Sequence, residues 1–386
     1  MHVVILGGGF GGIKAALELS KRQIGKVTLI SDQPFFQHHS TLYATATGKS
    51  TEESIIPLHT FFQHHPSVEV IEDTIQSFDP RRKLVSSKKR DYHYDKLILS
   101  LGSVTTFLGI KGLSKHSYGI NSIKDVQAFQ DHIHDEVVRQ KLDKEYFIIG
   151  AGMTGVELAG ALQEYINSLK SLYRLKNTRS KVTLVEEQPR ILPRMSNTAS
   201  KVVGRQLKRR GISVLVNHKV TALANDTVTI NGRLHKTSTA IWTSGLANNP
   251  FYTENREYFD LTKDNHVIVN PYLEALEHVY VIGDNNSVKH GGRAWAAFDQ
   301  AEHVAKNITR LVTKRSQIPF HPRTAPVAVS VGEEWSYIEW HGVYQSGQPG
   351  TVLRRWLEYA SYRKLLPSVV AQAIWRAHDI DRVRGE

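Results

Sequence analysis

Residues 2–12 read HVVILGGGFGG, an apolar run that leads straight into a glycine-rich turn. A strand of this kind turns tightly into a helix, and Gly7, Gly9 and Gly12 have the G-x-G-x-x-G spacing that permits the turn. The backbone at such a turn can approach a pyrophosphate closely, and the first amides of the helix face it. The segment therefore predicts a dinucleotide site.

A second copy of the pattern occurs at residues 146–155, where YFII is followed by Gly150, Gly152 and Gly155. A single copy is a weak signal, because many strand-to-helix turns of small residues bind nothing. Two copies in the same context predict an α/β chain with two Rossmann-like dinucleotide-binding domains. At 386 residues the chain is long enough for two or three domains.

The strand after each glycine turn should end near the ribose of the bound nucleotide. In the second unit, strand 182–185 is followed by Glu186, whose carboxylate suits a ribose diol and repels a 2′-phosphate. NADH is therefore favoured over NADPH, although Arg190 lies nearby. In the first unit Ser31 occupies the expected position, and we assign the ribose contact to the next residue, Asp32, the only acid there.

The chain contains no cysteine, so no dithiol can relay electrons and no cysteine-ligated iron–sulfur cluster can form. Electrons must leave directly from an organic cofactor.

The net charge of +12 does not by itself distinguish nucleic acid, an anionic membrane and an acidic protein as partners. The basic runs lack interleaved aromatic residues, which argues against nucleic acid. Neighbouring histidines at 38–39 and 64–65 point to different faces, so we predict no metal site.

Three further apolar strands end in small residues, at Gly102, Gly245 and the pair Gly283-Asp284. An isolated Gly-Asp pair is usually a turn. In a chain with two nucleotide turns it has a second interpretation, since the carboxylate can accept hydrogen bonds from the ribityl or pyrophosphate part of a flavin nucleotide. The glycines let the backbone approach such a ligand.

These segments together resemble the two-dinucleotide-binding flavoproteins, and among them the type II NADH dehydrogenases, which are single-subunit NADH:quinone oxidoreductases. The resemblance covers most of the chain and includes ATG at 46–48, GVELAG at 155–160 and the helix predicted at 294–311. It implies FAD at the first turn and NADH at the second. The FAD-binding residues so implied are Gly7, Gly9, Phe10, Gly11, Gly12, Asp32, Gly102, Gly283 and Asp284. The NADH-binding residues so implied are Gly150, Gly152, Thr154, Gly155, Glu186 and Gly245.

The acceptor site departs from this family. Its helix after Gly-Asp begins A-Q-x-A-x-Q, with glutamines near flavin and quinone, whereas residues 294–299 here read AWAAFD. Trp295 could replace a polar contact by stacking, and Asp299 or Gln300 could supply a hydrogen bond. The acceptor residues implied are Ala294, Trp295, Ala297, Phe298 and Asp299.

Glu157 is the candidate catalytic residue. It lies near the start of the second nucleotide helix, where it could tune the contact between nicotinamide and flavin or relay a proton. Equally, it could be an ordinary carboxylate stabilised by the helix dipole.

The C-terminal segment carries two apolar stripes at helical spacing, one over residues 352–360 and one over 365–377. Arginines, lysines, tryptophans and tyrosines flank both stripes, which favours helices lying on a membrane surface. Alternatively, the helices pack on the protein's own core or on a dimer partner. No apolar run approaches the roughly 20 residues of a membrane span. We expect a peripheral homodimer on the cytoplasmic face of the cell membrane.

The predicted organisation is an FAD-binding domain from residues 1–115 and 265–320, an NADH-binding domain from 116–264, and a membrane-surface or dimerisation region from 321–386. The expected activity is NADH:quinone oxidoreduction without proton pumping, with menaquinone or ubiquinone as acceptor. Two alternatives stay open: a soluble NADH oxidase or NADH-dependent reductase of a small redox protein, and an NADH-sensing flavoprotein.

Overall fold

The computed structural model describes residues 1–175, 180–289 and 292–380, so positions 381–386 of the predicted C-terminal region lie outside the described residues. The helices in these ranges are α1 (Phe10–Lys21), α2 (Leu42–Ala46), α3 (His59–Phe62), α4 (Leu113–His116), α5 (Ile123–Val138), α6 (Met153–Leu172), α7 (Asn197–Arg209), α8 (Pro250–Glu254), α9 (Ala294–Val312), α10 (Gln348–Arg363) and α11 (Ser368–Arg376).

The strands in the same ranges are β1 (His2–Leu6), β2 (Lys26–Ser31), β3 (Phe35–Gln37), β4 (Ile55–Pro57), β5 (Val68–Glu72), β6 (Ile75–Asp79), β7 (Leu84–Ser87), β8 (Asp91–His93), β9 (Lys96–Leu99), β10 (Ser103–Thr105), β11 (Glu145–Ile149), β12 (Lys181–Val185), β13 (Ser213–Leu215), β14 (Val220–Leu223), β15 (Thr227–Ile230), β16 (Arg233–Lys236), β17 (Thr239–Trp242), β18 (Leu246–Asn248), β19 (Glu274–Leu276), β20 (Val279–Val281), β21 (Val327–Ser330), β22 (Ser336–Trp340) and β23 (Val343–Gly347).

The first nucleotide unit is a six-stranded sheet in the order β19-β20-β9-β1-β2-β5. Its pairings are parallel except for the antiparallel edge strand β19. Residues 3–6 of β1 are almost wholly buried, as expected for a strand covered on both faces. Helices α1 and α9 pack together in the core on one side of this sheet, which places the N-termini of both beside the carboxyl ends of its strands.

The second nucleotide unit is a four-stranded parallel sheet in the order β13-β12-β11-β17. Helix α6 follows β11 and packs in the core beside it. Each unit thus repeats strand, glycine turn, helix and parallel strand, which confirms the predicted pair of Rossmann-like folds.

Strands β10 and β18 form a short antiparallel pair between the two units. The first pairs residues 103–105 with residues 246–248 of the second, so the chain segments next to Gly102 and Gly245 lie side by side. The strands of the first sheet come from residues 2–99 and 274–281, and those of the second from 145–242. The predicted domain limits themselves stay a prediction.

Three antiparallel sheets of three strands, β6-β7-β8, β14-β15-β16 and β21-β22-β23, and the antiparallel pair β3-β4 complete the described part of the chain. The first of them, over residues 75–93, interrupts the nucleotide unit between β5 and β9, and no pattern in the sequence indicated it. Phe78, Val85 and Tyr92 of this sheet close the core over the other face of the first unit.

The two C-terminal stripes behave differently. On α10, Val352, Leu353 and Trp356 face outward and are between 45% and 68% exposed. The second stripe largely packs inward, since Leu365 and Leu366 are buried in the core of the first unit. Most of the second stripe therefore packs on the protein's own core, which was one of the alternatives.

In the part of the chain that the structure describes, no helix is both long enough and apolar enough to span a bilayer.

Candidate cofactor and acceptor sites

The first glycine turn joins β1 to α1. Gly7 has a φ of +108°, in the left-handed region that favours glycine, and its N–H donates to the carbonyl of Ile30 at 2.8 Å. A Cβ on Gly12 would collide with the carbonyl oxygen of Gly7. Among the described residues, a Cβ on Gly9 would meet no atom within 4 Å, and no side chain caps the helix there. The open space before these amides fits a pyrophosphate.

The second glycine turn has the same construction. Gly150 has a φ of +107° and donates to the carbonyl of Val185 at 2.8 Å, while a Cβ on Gly155 would collide with the Gly150 carbonyl oxygen. Within the described ranges, a Cβ on Gly152 again meets nothing within 4 Å, and no side chain caps α6. Thr154 lies in the first turn of α6 and is partly exposed. This turn therefore also fits a dinucleotide.

Glu186 lies at the end of β12 against the second turn. Its carboxylate accepts hydrogen bonds from the backbone N–H of Ala151 at 2.7 Å and of Gln188 at 2.8 Å, which fix its orientation. The guanidinium of Arg190 turns away and donates to carbonyl oxygens of residues 192–196. Since these bonds occupy the guanidinium, it does not offer a site for a 2′-phosphate, which supports the predicted preference for NADH.

The first unit places a different residue at the matching point. The first glycine of each turn donates its N–H to a carbonyl of the next strand, that of Ile30 in the first unit and that of Val185 in the second. Ser31 and Glu186 directly follow these two residues, so Ser31, not Asp32, is the counterpart of Glu186. Ser31 is buried next to Gly8, where a Cβ would lie 2.7 Å from the Ser31 hydroxyl oxygen, whereas Asp32 is exposed. Asp32 stays a prediction as the ribose residue, and the Ser31 hydroxyl is the polar group nearer the turn.

Asn285 brings the other two predicted FAD segments together. Its fully buried amide accepts from the N–H of Gly102 at 2.9 Å and donates to the Gly102 carbonyl at 2.7 Å. Gly283, with a φ of +79°, and Asp284 directly precede it in the chain. The side chain of Asp284 accepts from the N–H of Gly292 at 2.9 Å. Sequence reasoning missed Asn285, because an asparagine after Gly-Asp reads as part of the turn.

The remaining predicted cofactor residues lie at close approaches of the backbone. A Cβ on Gly11 would come within 2.6 Å of the Ser100 hydroxyl oxygen, so α1 packs against the loop that leads to Gly102. Gly245 has a φ of +66° and accepts from the N–H of Thr106 at 2.6 Å, which holds it where the units join.

Helix α9 does not present all five predicted acceptor residues to one surface. Ala297 and Phe298 are buried, and the Phe298 ring packs edge-on against Phe10 with centroids 5.6 Å apart. Ala294 also packs toward that core, whereas Trp295 lines a cavity of about 370 Å³. The other residues of this cavity come from α10 and its C-terminal end: Trp356, Tyr359, Ala360, Arg363 and Lys364.

The polar residues of this helix have separate surroundings. Asp299 is partly exposed, and burial, assisted by the charge of Glu302, raises its pKa. Gln300 is buried, and its side-chain oxygen accepts from the N–H of Gly283 and from Asn286, both at 2.8 Å. The amide oxygen of Gln300 therefore supports the Gly-Asp turn, and a hydrogen bond from Gln300 to the acceptor stays a prediction.

Glu157 is buried rather than placed at an exposed helix start. Its Oε1 accepts from the N–H of Ser330 at 3.3 Å and lies 3.6 Å from Nε of Arg354. Burial raises the pKa of Glu157 to about 7, and the Arg354 charge opposes that rise. The carboxyl group can therefore hold or release a proton near neutral pH.

Arg354 belongs to a buried polar network that the sequence did not indicate. It donates to the phenol of Tyr43 at 2.7 Å and pairs with Glu358 at 2.7 Å. The neighbouring Arg355 pairs with Glu53, which is 1% exposed, at 3.0 Å.

Within the described ranges, no three His, Cys, Asp or Glu side chains are grouped so as to hold a metal ion.

The structure thus contains two glycine turns, each beside a polar residue at the end of a parallel strand. This arrangement is that of a protein that binds two dinucleotides. Residues 1–315 match the family described as pyridine nucleotide-disulphide oxidoreductase, and the chain belongs to this family. The family name refers to a disulphide that this chain cannot form, because it has no cysteine.

Curated relatives share about a quarter of their residues with the chain. The type II NADH:quinone oxidoreductase of Staphylococcus epidermidis is 26% identical over 353 residues, covering 86% of this chain and 87% of the relative. The protein of the same name from Staphylococcus aureus is 25% identical over 342 residues, covering 82% and 84%.

Solved structures share the fold over nearly the whole chain. NDH2 from Plasmodium falciparum in complex with NADH has a TM-score of 0.86 at 16% identity, covering 99% of this chain and 97% of its own. The sulfide:quinone oxidoreductase of Aquifex aeolicus has a TM-score of 0.79 at 19% identity, covering 98% and 91%.

The open side of the first turn can be tested with two neighbouring substitutions. Gly9→Ala should lower the stability of the fold by no more than about 1 kcal/mol, the usual cost of alanine at an N-cap, since its methyl group meets none of the described atoms. It should weaken FAD binding at least about tenfold, ~1.4 kcal/mol. Gly12→Ala should destabilise the fold by ~1–3 kcal/mol through its collision with Gly7. Urea unfolding and FAD titration of each variant measure both effects. Unchanged FAD affinity in Gly9→Ala would contradict the assignment.

Coenzyme preference can be tested at Glu186 and Arg190. Glu186→Gln should raise KM for NADH roughly ten- to hundredfold, because it loses charge-assisted hydrogen bonds worth ~1.5–3 kcal/mol. Arg190→Met should lower the melting temperature without changing the ratio of NADPH to NADH use, because its partners are loop carbonyls. Steady-state kinetics with each coenzyme give the ratio. A large change in that ratio for Arg190→Met would show that the arginine reaches the nucleotide.

Proposed function

We propose that this chain is an FAD-dependent NADH:quinone oxidoreductase that does not pump protons. The observation that carries the proposal is the presence of two dinucleotide cradles in one chain without any cysteine. Such a chain can pass electrons from one nucleotide to the other, but not onward through a thiol relay. The relatives named type II NADH:quinone oxidoreductases match most of its length and support quinone as the acceptor.

Bound FAD would accept a hydride from NADH and pass two electrons to the quinone. The chain's own contribution is to hold the two nucleotides and to control access to them. We assign FAD to residues 1–115 and 265–320 and NADH to 116–264, since the six-stranded and four-stranded sheets draw their strands from these ranges.

The cavity beside Trp295 is the proposed site of the acceptor. Aromatic rings connect it to the first glycine turn: Trp295 packs edge-on against Phe298 at 6.0 Å, and Phe298 does the same against Phe10, the residue after Gly9. A quinone in the cavity would therefore lie near the FAD cradle. Asp299 follows Trp295 by one helical turn and can supply a hydrogen bond beside it.

Glu157 is the proposed source of a proton. Conversion of a quinone to a quinol requires one proton in addition to the hydride supplied by NADH. The Glu157 carboxyl holds a proton near neutral pH because burial raises its pKa to about 7. The contact with Arg354 keeps this value from rising further and fixes the direction in which the carboxyl group points.

We propose that the outer face of α10 binds the cytoplasmic surface of the cell membrane. Val352, Leu353 and Trp356 expose apolar surface there, and Arg363 supplies positive charge at the end of the same helix. Apolar side chains together with basic and aromatic neighbours favour an anionic lipid interface. This location would bring a lipid-soluble quinone to the cavity, which α10 also lines.

We further propose that the protein forms a homodimer. Among the residues that the structure describes, no strand pairs with the outer side of the edge strand β23, which exposes Val343 and Tyr344 at 74% and 48%. Uncovered apolar edges of this kind favour pairing with another chain.

Val343→Lys should then shift the protein from dimer to monomer in analytical ultracentrifugation, and a wild-type chain that sediments as a monomer overturns the proposal.

The acceptor site can be separated from the NADH step by stopped-flow absorbance. Trp295→Gln combined with Asp299→Gln should leave flavin bleaching by NADH unchanged and slow reoxidation by a short-chain menaquinone or ubiquinone at least roughly tenfold. Trp340→Gln, at an exposed tryptophan of β22, is the matched control. Unchanged quinone kinetics in the double variant would remove these residues from the acceptor site. In the wild type, reoxidation by quinone no faster than by oxygen would favour an oxidase or a sensor.

The role of Glu157 predicts a pH dependence with a definite sign. A proton donor with a pKa of about 7 is protonated below that pH, so the quinone-dependent rate should fall as pH rises through 7. Glu157→Gln should be slower at every pH and should lack this inflection, because its amide does not titrate. Stopped-flow rates between pH 5 and 9 measure the profile. An identical inflection in both proteins would assign it to another group.

Membrane binding can be tested without removing α10, whose inner face carries the Arg354 network. Val352→Glu combined with Trp356→Glu should reduce flotation with vesicles containing anionic phospholipid at least roughly tenfold, since both side chains lose their apolar contact. Leu234→Glu, at a site 73% exposed on another sheet, should leave flotation unchanged. Equal flotation of the double variant and the wild type would exclude the α10 face.

A further inference from the structure

Helix α10 carries a buried acid that the proposed reaction has not used. The side chain of Glu358 is 10% exposed and lies between two arginines: its Oε1 pairs with Nη2 of Arg354 at 2.7 Å, and its Oε2 pairs with Nη1 of Arg355 at 2.8 Å. Burial works to raise the pKa of Glu358, but the charges of the two arginines outweigh it and hold this pKa below its usual value. Glu358 is therefore an ionised counter-charge for both arginines.

Arg354 lies between Glu358 and the candidate catalytic residue, Glu157. Its Nε is 3.6 Å from Oε1 of Glu157, whereas its Nη2 is 2.7 Å from Glu358 and donates to the Tyr43 hydroxyl at 2.7 Å. A guanidinium binds a carboxylate most strongly through two parallel N–H···O bonds. The single, longer contact with Glu157 is weaker than such a pair, because Glu358 and Tyr43 hold the guanidinium on its other side.

The cluster extends from Arg355 to the 3-10 turn that follows α11. Arg355 also pairs with Glu53 at 3.0 Å, and Oε2 of Glu53 lies 2.7 Å from Nδ1 of His378. Besides Glu157 and His378, the cluster contains two acids and two bases: Glu53, Glu358, Arg354 and Arg355. While the His378 imidazole is neutral, these four charges sum to zero. An ionised Glu157 would add an unbalanced negative charge at a side chain only 9% exposed, which is costly.

Among the described residues, three other titratable side chains face this cluster, and all three are neutral. Burial raises the pKa of Tyr43 and that of Tyr362 above the usual value of a phenol. Burial lowers the pKa of His38 to about 4. None of the three adds a charge near neutral pH, so the paired acids and arginines govern the ionisation of Glu157.

We propose that Glu358 is the positioning residue for Glu157: it holds the Arg354 guanidinium and balances its charge, so that the Glu157 carboxyl keeps the proton that it delivers. Without Glu358, the uncompensated guanidinium would favour the ionised form of Glu157. The inference rests on the proposed function, in which Glu157 is the proton donor.

Glu358→Gln tests the charge, because it keeps the length of the side chain. The inflection of the quinone-dependent rate should move to lower pH by at least roughly one pH unit, since an opposite charge within about 4–6 Å lowers a carboxyl pKa by ~1–3. At the acidic end of the profile the rate should match wild type, because Glu157 is protonated in both proteins there. A purely structural role would slow the reaction at every pH and leave the inflection in place.

Infrared difference spectra of the oxidised holoprotein follow the same proton without NADH or quinone. The carbonyl stretch of a protonated carboxyl group disappears when the group ionises, and the band that is missing in Glu157→Gln belongs to Glu157. This band should titrate at lower pH in Glu358→Gln than in wild type. If Glu157 is not the proton donor, the kinetic inflection fails while the infrared shift remains, so the two proposals can fail separately.

Glu358→Asp and Glu18→Gln separate charge from packing. Glu358→Asp keeps the negative charge and should titrate close to wild type. Glu18→Gln is the matched control: Glu18 pairs with Lys14, four residues before it, at 2.9 Å, and these side chains are 12% and 5% exposed. It should leave the Glu157 midpoint unchanged. The proposal is overturned if Glu358→Gln titrates at the wild-type midpoint, or if Glu358→Asp moves the midpoint as far as Glu358→Gln.

A double variant keeps the test open if Glu358→Gln does not fold. Glu358→Gln combined with Arg354→Gln removes both charges of the pair, which is less disruptive than the removal of one. Since burial alone then acts on Glu157, its band should titrate no lower than in wild type. A lower midpoint in the double variant would show that Glu358 does not act through Arg354.

Discussion

The tightest constraint in the molecule is the approach of each nucleotide helix to its own turn. In both units the third glycine of the motif lies against the carbonyl oxygen of the first, where no side chain fits. This approach sets the direction of α1 and α6, and with it the position of their uncapped amides at the ends of the parallel strands. The Gly-Asp turn, the Gly102 loop and the acceptor helix are then arranged around that point.

A second level of organisation comes from buried polar contacts between distant segments. Asn285 joins the Gly102 loop to the Gly-Asp turn, and Arg354 joins α10 to Tyr43 and Glu157. Buried ion pairs such as those of Arg354 contribute little net stability, but removal of one partner is costly, commonly ~3–5 kcal/mol. They therefore specify one arrangement of the units around the cofactor sites rather than adding to the hydrophobic core.

The sequence predicted the features that short segments determine by themselves. The glycine turns, their strands, Glu186 and the helix starting at Ala294 follow from local spacing and hydrophobic pattern. The contacts that complete the sites join residues far apart in the chain: Arg354 and Tyr43 are separated by 311 positions, and Asn285 and Gly102 by 183. No local pattern specifies such a pairing. Ser31 and Gln300 show the same limit, since their roles depend on neighbours known only from the fold.

Helix α10 has an exposed apolar face and a buried polar face: Leu353 and Trp356 face outward, while Arg354 and Tyr362 are buried. One residue of an α-helix corresponds to a rotation of about 100°. A single insertion before Leu353 would therefore rotate Arg354 away from Glu157 and bring the apolar side chain of Leu353 to its place. The exposed apolar face and the buried polar network thus depend on the same helical spacing, so an insertion that displaces one of them also displaces the other.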